Sequence, residues 1–286
     1  MQGLSDESLD AALRAFLAED VGAGDVTTQA TVPGSARARG ELVAKSECVV
    51  SGLPVARRVF ELLEPELKWT DEVAVGTRVG AGAVLARLEG RARPILTAER
   101  VALNLLQRMS GIATATRRFV DRLAGTSCRV LDTRKTAPGL RAFDRQAVRD
   151  GGGDNHRYDL SEMVLIKDNH LRLSGGVRGA VAAARAASPP GMAIEVEVES
   201  DEELRDALAA GADRILIDNQ TPEVVARWSA IAKKSQRRPF LEASGNMRLD
   251  VVRAYAEAGV DAVSVGALTH SVAAADISLE LDLASA

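Results

Sequence analysis

Aromatic residues make up only 3% of this 286-residue chain. A core built on stacked rings is excluded, and the 46% hydrophobic content must pack as alanine, valine, leucine and isoleucine. Cysteine is nearly absent. Cys48 and Cys128 show no metal-ligand spacing and cannot make a disulfide framework; reduced thiols in a cytoplasmic protein are expected. No apolar run approaches the about 18 residues of a membrane span. The start lacks a basic segment followed by an apolar one, so no signal peptide is read. Excess positive charge is missing too. A net charge of -4 argues against a nucleic-acid binder led by phosphate neutralisation.

Histidine is scarce, yet two of the three, His156 and His170, lie within Leu131 to His170. That stretch also holds Arg134, Lys135, Arg157 and Lys167 at turns and strand ends. Charges on a solvated helix face would instead recur every three or four residues. Three glycines, Gly151 to Gly153, let backbone approach a neighbour or a ligand. Cations on loops beside glycines point to a multiply anionic small molecule.

Before and after this stretch the pattern differs. Ser5 to Ala18 reads as a capped helix with Leu9, Leu13, Phe16 and Leu17 on one face. Residues 20–28 read as a loop. Residues 37–90 carry short alternating segments, such as 38–43 and 72–75, broken by glycines. They predict a small, mostly antiparallel sheet with one helix near 54–63. Gly76 to Gly90 resembles the turn-and-strand pattern of biotinyl and lipoyl carriers, but no lysine is placed for modification. From Thr97 to Leu123 two helices are expected, with Gly111 bending or ending the first.

A strand-helix rhythm follows. Segments 128–132, 163–168, 193–198, 214–219, 239–244 and 262–267 are β-rich, with helices near 176–187, 201–210, 222–234 and 248–258. There is room for one more strand between 133 and 162. This alternation implies parallel strands joined by right-handed crossovers. The predicted fold is α/β: an incomplete, TIM-like β/α barrel over 108–272, with a smaller α+β domain over 1–107. The tail 273–286 is expected to pack back on the smaller domain.

The strand ends carry polar groups: Asp132-Thr-Arg-Lys, Lys167-Asp-Asn, Glu197, Asp218-Asn, Ser244-Gly-Asn and Gly266-Ala-Leu. In a β/α barrel these ends converge on one mouth, where active sites sit. The last loops, Ser244-Gly245-Asn246 and Gly266-Ala267-Leu268-Thr-His270, are small turns whose backbone N–H groups can hold a phosphate.

Ordered segments from Glu99 to Ser271 resemble the quinolinate phosphoribosyltransferase family, also called carboxylating nicotinate-nucleotide pyrophosphorylases. They are Glu99-Arg-Val-Ala-Leu-Asn, Leu131-Asp-Thr-Arg-Lys-Thr-Ala-Pro-Gly-Leu-Arg, Gly151-Gly-Gly-Asp-Asn-His-Arg, Leu165-Ile-Lys-Asp-Asn-His, Glu195-Val-Glu-Val, Leu216-Ile-Asp-Asn, Ala243-Ser-Gly and Val265-Gly-Ala-Leu-Thr-His-Ser. Glu19-Asp-Val-Gly-Ala-Gly-Asp-Val-Thr-Thr fits as well. At Asn246 many members have a second glycine; asparagine tolerates positive φ better than most residues.

The resemblance implies that quinolinate attacks C1 of phosphoribosyl pyrophosphate, with loss of pyrophosphate and carbon dioxide, giving nicotinate mononucleotide for NAD synthesis. Thr133, Arg134, Lys135, His156, Arg157 and Lys167 belong to its binding motifs. Guanidinium geometry suits Arg134 and Arg157 to the two carboxylates of quinolinate, with His156 beside them. Lys135 and Lys167 suit the pyrophosphate as compact charges. Glu197 and Asp218 would face the developing oxocarbenium, hold ribose hydroxyls or bind magnesium. Glu195 and Glu197 alternate to one side of a strand, and the family motif favours Glu197. The motif also implies that Arg100 reaches the site of a second subunit, so a cytoplasmic homodimer, or multiples of one, is expected.

Three other readings compete: a pyrophosphorylase-like relative found with molybdenum transport, a Schiff-base aldolase using Lys167, and a non-catalytic phosphometabolite sensor. The complete Thr133-Arg-Lys-Thr and Asn155-His-Arg motifs favour quinolinate over the first. The cationic setting of Lys167 disfavours the second. Fold alone does not exclude the third.

Overall fold

Short polar caps start several helices. In this computed structural model, which describes residues 5–284, Ser5 accepts the Ser8 N–H at 3.2 Å and opens α1 (Asp6–Val21). Asp25 accepts the Thr28 N–H at 2.9 Å and opens α2 (Val26–Thr31). Helix therefore reaches into both ends of the loop expected over 20–28. Next come β1 (Arg37–Ala44), β2 (Cys48–Val49), α3 (Leu53–Leu63), β3 (Lys68–Asp71), β4 (Arg78–Val79), β5 (Val84–Arg91) and α4 (Ala92–Arg122). Residues 72–75, expected as strand, form the turn after β3. α4 is one helix, not two. Gly111 is there for close approach: a Cβ would lie 2.1 Å from the Ala273 carbonyl oxygen.

The chain continues through β6 (Arg129–Leu131), α5 (Arg141–Asp150), β7 (Val164–Ile166), α6 (Asp168–Ser174), α7 (Val177–Ala187), β8 (Ile194–Val198) and α8 (Asp201–Ala209). It ends with β9 (Arg214–Asp218), α9 (Pro222–Ala232), β10 (Phe240–Ser244), α10 (Val252–Glu257), β11 (Ala262–Ser264), α11 (Ala267–His270) and β12 (Ile277–Leu283). Two compact units result.

One unit takes the residues to Arg117, Thr136–Gly152 and those from Thr269. Its four-stranded sheet runs β12-β1-β5-β3, and β12 pairs antiparallel with β1 from Ala38↔Leu283 to Ala44↔Ile277. Leu42, Phe60, Leu85, Ile95 and Leu106 form its buried aliphatic-rich core. α5 is tied into this unit by Arg108, whose Nε donates to Asp144 at 2.7 Å.

The other unit takes Arg118–Lys135 and Gly153–Leu268. All six expected strands are present and pair in parallel, in the order β6-β11-β10-β9-β8-β7. The first strand thus lies beside the last, as in a closing barrel. β8 is buried at all five positions, the mark of a parallel strand covered on both faces. The seventh strand did not form. Segment 133–162 holds α5 and, among the described residues, one isolated bridge, Leu131↔Asp154. The fold is an incomplete β/α barrel with an α+β unit, which is not smaller than the barrel as expected because it also takes in α5 and the start of the β6-to-β7 connection.

Candidate active site

The barrel register brings the polar strand ends together. Asp218 ends β9 beside Ser244 at the end of β10, and Glu197 on β8 pairs with Leu216 one layer below Asp218. Lys167 follows β7, and its Nζ lies 2.7 Å from Glu197 Oε2. Carboxylate oxygens of Glu197, Glu199 and Asp218 lie within 4.8 Å of one another. This set of hard oxygen donors fits a small divalent cation. Glu199 was missed in the sequence because it sits one residue beyond its strand, where a solvated carboxylate is commonplace.

Beyond β9 and β10 the backbone turns sharply. Asn219 and Asn246 adopt φ of 51° and 45°, the two non-glycine residues with positive φ among those described. Gly245, at φ 99°, lies between Ser244 and Asn246. Gly266 follows β11, with Ala267 exposed and Leu268 buried at the start of α11.

A second group is arranged by Asp132, which is fully buried just after β6. Its carboxylate accepts from Asn155 Nδ2 at 2.5 Å and from the His156 N–H at 2.8 Å. This fixes the chain leading to Arg157, whose Nη1 donates to the Met163 carbonyl at 2.8 Å. Arg157 is 9% exposed. Its Nε has no partner among the described residues, and neither does the buried Nε of Arg134. Burial pulls the Arg157 guanidinium below its usual range, and the nearby Arg134 charge pulls it further. Two guanidinium groups with unmet donors therefore lie close enough for one charge to act on the other. Lys135 is exposed, and its N–H donates to Thr133 Oγ1 at 3.1 Å.

His156 turns toward the barrel interior. Its Nε2 lies 3.0 Å from Glu195 and 3.3 Å from Glu242, both fully buried. Arg214 reaches the same carboxylates at 3.2 and 2.7 Å, and Ser264 hydrogen-bonds Glu242. Burial opposes charge on His156 while the two carboxylates favour it, and the bond that Nδ1 accepts keeps the ring in its neutral form. The Arg157 N–H donates to Nδ1 at 2.8 Å, so the ring proton points from Nε2 at the glutamates. Burial, then the charge of Glu242, pushes Glu195 up. Burial also works against the Glu242 charge, but His156, Ser264 and Arg214 keep that carboxyl low. His156, Glu195 and Glu242 therefore titrate as one network. A glutamate amid Phe240-Leu-Glu-Ala-Ser was the available sequence signal for Glu242.

Arg100 and His270 belong to the α+β unit. Arg100 is exposed on α4. His270 is exposed, with Nδ1 2.7 Å from Ser271 Oγ. No described helix is long and apolar enough to cross a membrane.

Known proteins match this architecture over nearly the whole chain. Residues 25–110 match the N-terminal domain, and 112–280 the C-terminal domain, of quinolinate phosphoribosyl transferase. The nicotinate-nucleotide pyrophosphorylase [carboxylating] of Mycobacterium leprae is 44% identical, over 97% of this chain and 100% of that protein. The probable nicotinate-nucleotide pyrophosphorylase [carboxylating] of Bacillus subtilis is 42% identical, over 96% of this chain and 93% of that protein. The crystal structure of NadC from Streptococcus pyogenes superposes with a TM-score of 0.94 at 38% identity, covering 100% of both chains.

Proposed function

The chain belongs to the quinolinate phosphoribosyltransferase family, and from that premise we infer its reaction. It is a carboxylating nicotinate-nucleotide pyrophosphorylase. The pyridine nitrogen of quinolinate forms a bond to C1 of phosphoribosyl pyrophosphate as the C1–oxygen bond to pyrophosphate breaks. The bond from C2 to its carboxylate then breaks, carbon dioxide leaves, and the electron pair left on C2 takes up a proton from solvent, giving nicotinate mononucleotide, a step of NAD synthesis. The observation that carries quinolinate as the acceptor is the pair of buried, unpartnered guanidinium Nε atoms of Arg134 and Arg157. Two neighbouring cations with open donors call for a ligand with adjacent carboxylates.

The other roles follow from charge and placement. Lys135 and Lys167 neutralise the leaving pyrophosphate, which needs no proton to depart when its charge is met. Backbone donors of Ser244, Gly245, Asn246, Gly266, Ala267 and Leu268 take the 5-phosphate. Glu197 and Asp218 face the ribose, where positive charge develops at C1. They, with Glu199, would hold Mg2+, whose charge would neutralise pyrophosphate. His156 keeps the Arg157 backbone in place through Nδ1.

The decisive assay is pyrophosphate release from phosphoribosyl pyrophosphate with and without quinolinate, with carbon dioxide followed in parallel. Release should require quinolinate and match carbon dioxide one to one. Turnover independent of quinolinate would return the chain to the molybdenum-associated reading, and no turnover with or without quinolinate to the sensor.

Arg100 acts in trans, in a cytoplasmic homodimer or a multiple of one. Its support is the Glu99-Arg-Val-Ala-Leu-Asn motif together with its exposure on α4. Arg100→Ala and Lys135→Ala should each be nearly inactive. After subunit exchange, half the dimers are mixed and each carries one intact site, so activity should recover toward about a quarter of wild type. Heterodimers seen by mass spectrometry without recovery would rule the exchange out.

A further inference from the structure

Asn219 holds a backbone conformation that asparagine adopts at a cost. At φ 51° glycine is the default, because it has no Cβ to crowd the next carbonyl. Such a residue persists only when its surroundings over-determine it, and here they do. Its N–H donates to the Ser244 carbonyl at 3.0 Å, extending the β9–β10 pairing past Asp218↔Ser244. The next residue, Gln220, donates to the carbonyls of Glu199 and Asp218 at 3.2 Å each. Tyr255 Oη donates to the Gln220 carbonyl at 2.8 Å. The backbone is thus pinned on both sides, and glycine would serve it as well. What asparagine adds is its carboxamide.

Nδ2 of that carboxamide donates to Asp218 Oδ2 at 2.6 Å. A carboxylate only accepts, so it settles which end of the amide faces it. Oδ1 then lies against Gly245: a Cβ at 245 would sit 2.1 Å from Oδ1 and 2.9 Å from the Asn219 Cα. The amide therefore fills the space between two strand ends, with Asp218 on one side and the bare Cα of Gly245 on the other. We infer that Asn219 is a positioning residue: braced on Gly245, its carboxamide fixes the Asp218 carboxylate in the orientation the ribose site uses. This rests on the proposed role of Asp218. It assigns a separate function to the neighbour, which touches no substrate in that scheme.

The test is a double-mutant cycle of Asn219→Gly with Asp218→Ala, read by kcat and by calorimetric affinity for each substrate. Glycine keeps the left-handed turn and loses only the carboxamide. Asn219→Gly should lower kcat about tenfold or more, the scale of a misplaced group at a reacting centre. Its affinity for phosphoribosyl pyrophosphate should fall while that for quinolinate stays within about twofold. On the Asp218→Ala background it should add less than about twofold, because its target is gone. Asn219→Asp, which also tolerates positive φ but offers no donor, should behave like the glycine variant and covers the case in which that variant unfolds. Losses that multiply across the cycle, or equal losses for the two substrates, would overturn the inference. If Asp218→Ala is costly and both Asn219 variants stay within twofold of wild type, the inference fails and the function stands. A silent Asp218→Ala would remove the role of Asp218, and the inference with it.

Discussion

Arg157→Lys should weaken quinolinate binding by about two orders of magnitude, the scale for truncating one partner of a buried charge pair. Affinity for phosphoribosyl pyrophosphate should change little. The guanidinium is almost fully buried, anchored by Nη1 to the Met163 carbonyl, and leaves Nε without a partner. A lysine keeps a positive charge but offers a point donor in place of a planar fork. It cannot bond the Met163 carbonyl and a carboxylate with the same geometry. The substitution should also introduce a pH dependence. Burial, and then the Arg134 charge, already pull the Arg157 pKa down. A lysine starts from about 10.4, against about 12.5 or more for arginine. The same surroundings would bring its depressed pKa toward the working range, and the charge would be lost as pH rises. Quinolinate affinity of the variant should therefore fall as pH rises toward the ordinary lysine value of about 10.4, beginning below it, while wild type stays flat. Calorimetry showing equal losses for both substrates would remove Arg157 from the quinolinate site.

Much of the barrel was legible because parallel strands and their crossover helices write a strong pattern. All six strands from 129 to 264 fall within the segments read from β-rich runs, and Ser200 and Thr221 cap α8 and α9 as polar residues before a helix do. The misses share a cause. Gly111 looks like a break, yet its missing Cβ serves the chain at Ala273, 162 positions on by subtraction of the residue numbers. α5 was unread because its charged sequence, Arg141 to Asp150, hides residues that are buried only through tertiary pairing, such as Asp144 with Arg108. The same holds at the site. Motif residues such as Arg134, Lys167, Glu197 and Asp218 declare themselves at strand ends. Glu195, Glu242 and Arg214 are assembled only by register across three strands. Asn219 is visible as a residue, but its left-handed turn and its contact with Gly245 are not.

The interior network leads to the largest expected effect on stability. Glu195 and Glu242 are fully buried, and Arg214 bonds both. Its guanidinium also lies 4.2 Å over the Phe240 ring. Arg214→Met fills similar space and removes the counter-charge, leaving two buried carboxylates facing His156. Breaking a buried pair in this way costs about 3–5 kcal/mol, a large part of a total of roughly 5–15 kcal/mol. The melting temperature near pH 7 should drop by roughly 10 °C, taking about 2–4 °C per kcal/mol for a domain of this size. The pH dependence has a definite sign. Glu195 is already raised by burial and by Glu242, and loss of Arg214 raises it further. A carboxyl with a raised folded pKa contributes stability below its unfolded pKa and loses that contribution as pH rises through the folded value. The defect of Arg214→Met should therefore be smallest near pH 5 and grow toward pH 8. Wild type should accordingly weaken as pH rises above the ordinary carboxyl range and through the raised value of Glu195. Glu195→Gln replaces one carboxylate with a neutral amide of the same shape, so it should flatten the wild-type decline. It should also restore most of the stability lost in Arg214→Met, because a single buried carboxylate can still be met by His156 and Ser264. Thermal melts of the four proteins across pH 5 to 9 decide it. An additive double mutant would mean that Arg214 stabilises the barrel through its stacking on Phe240 and not through the paired glutamates.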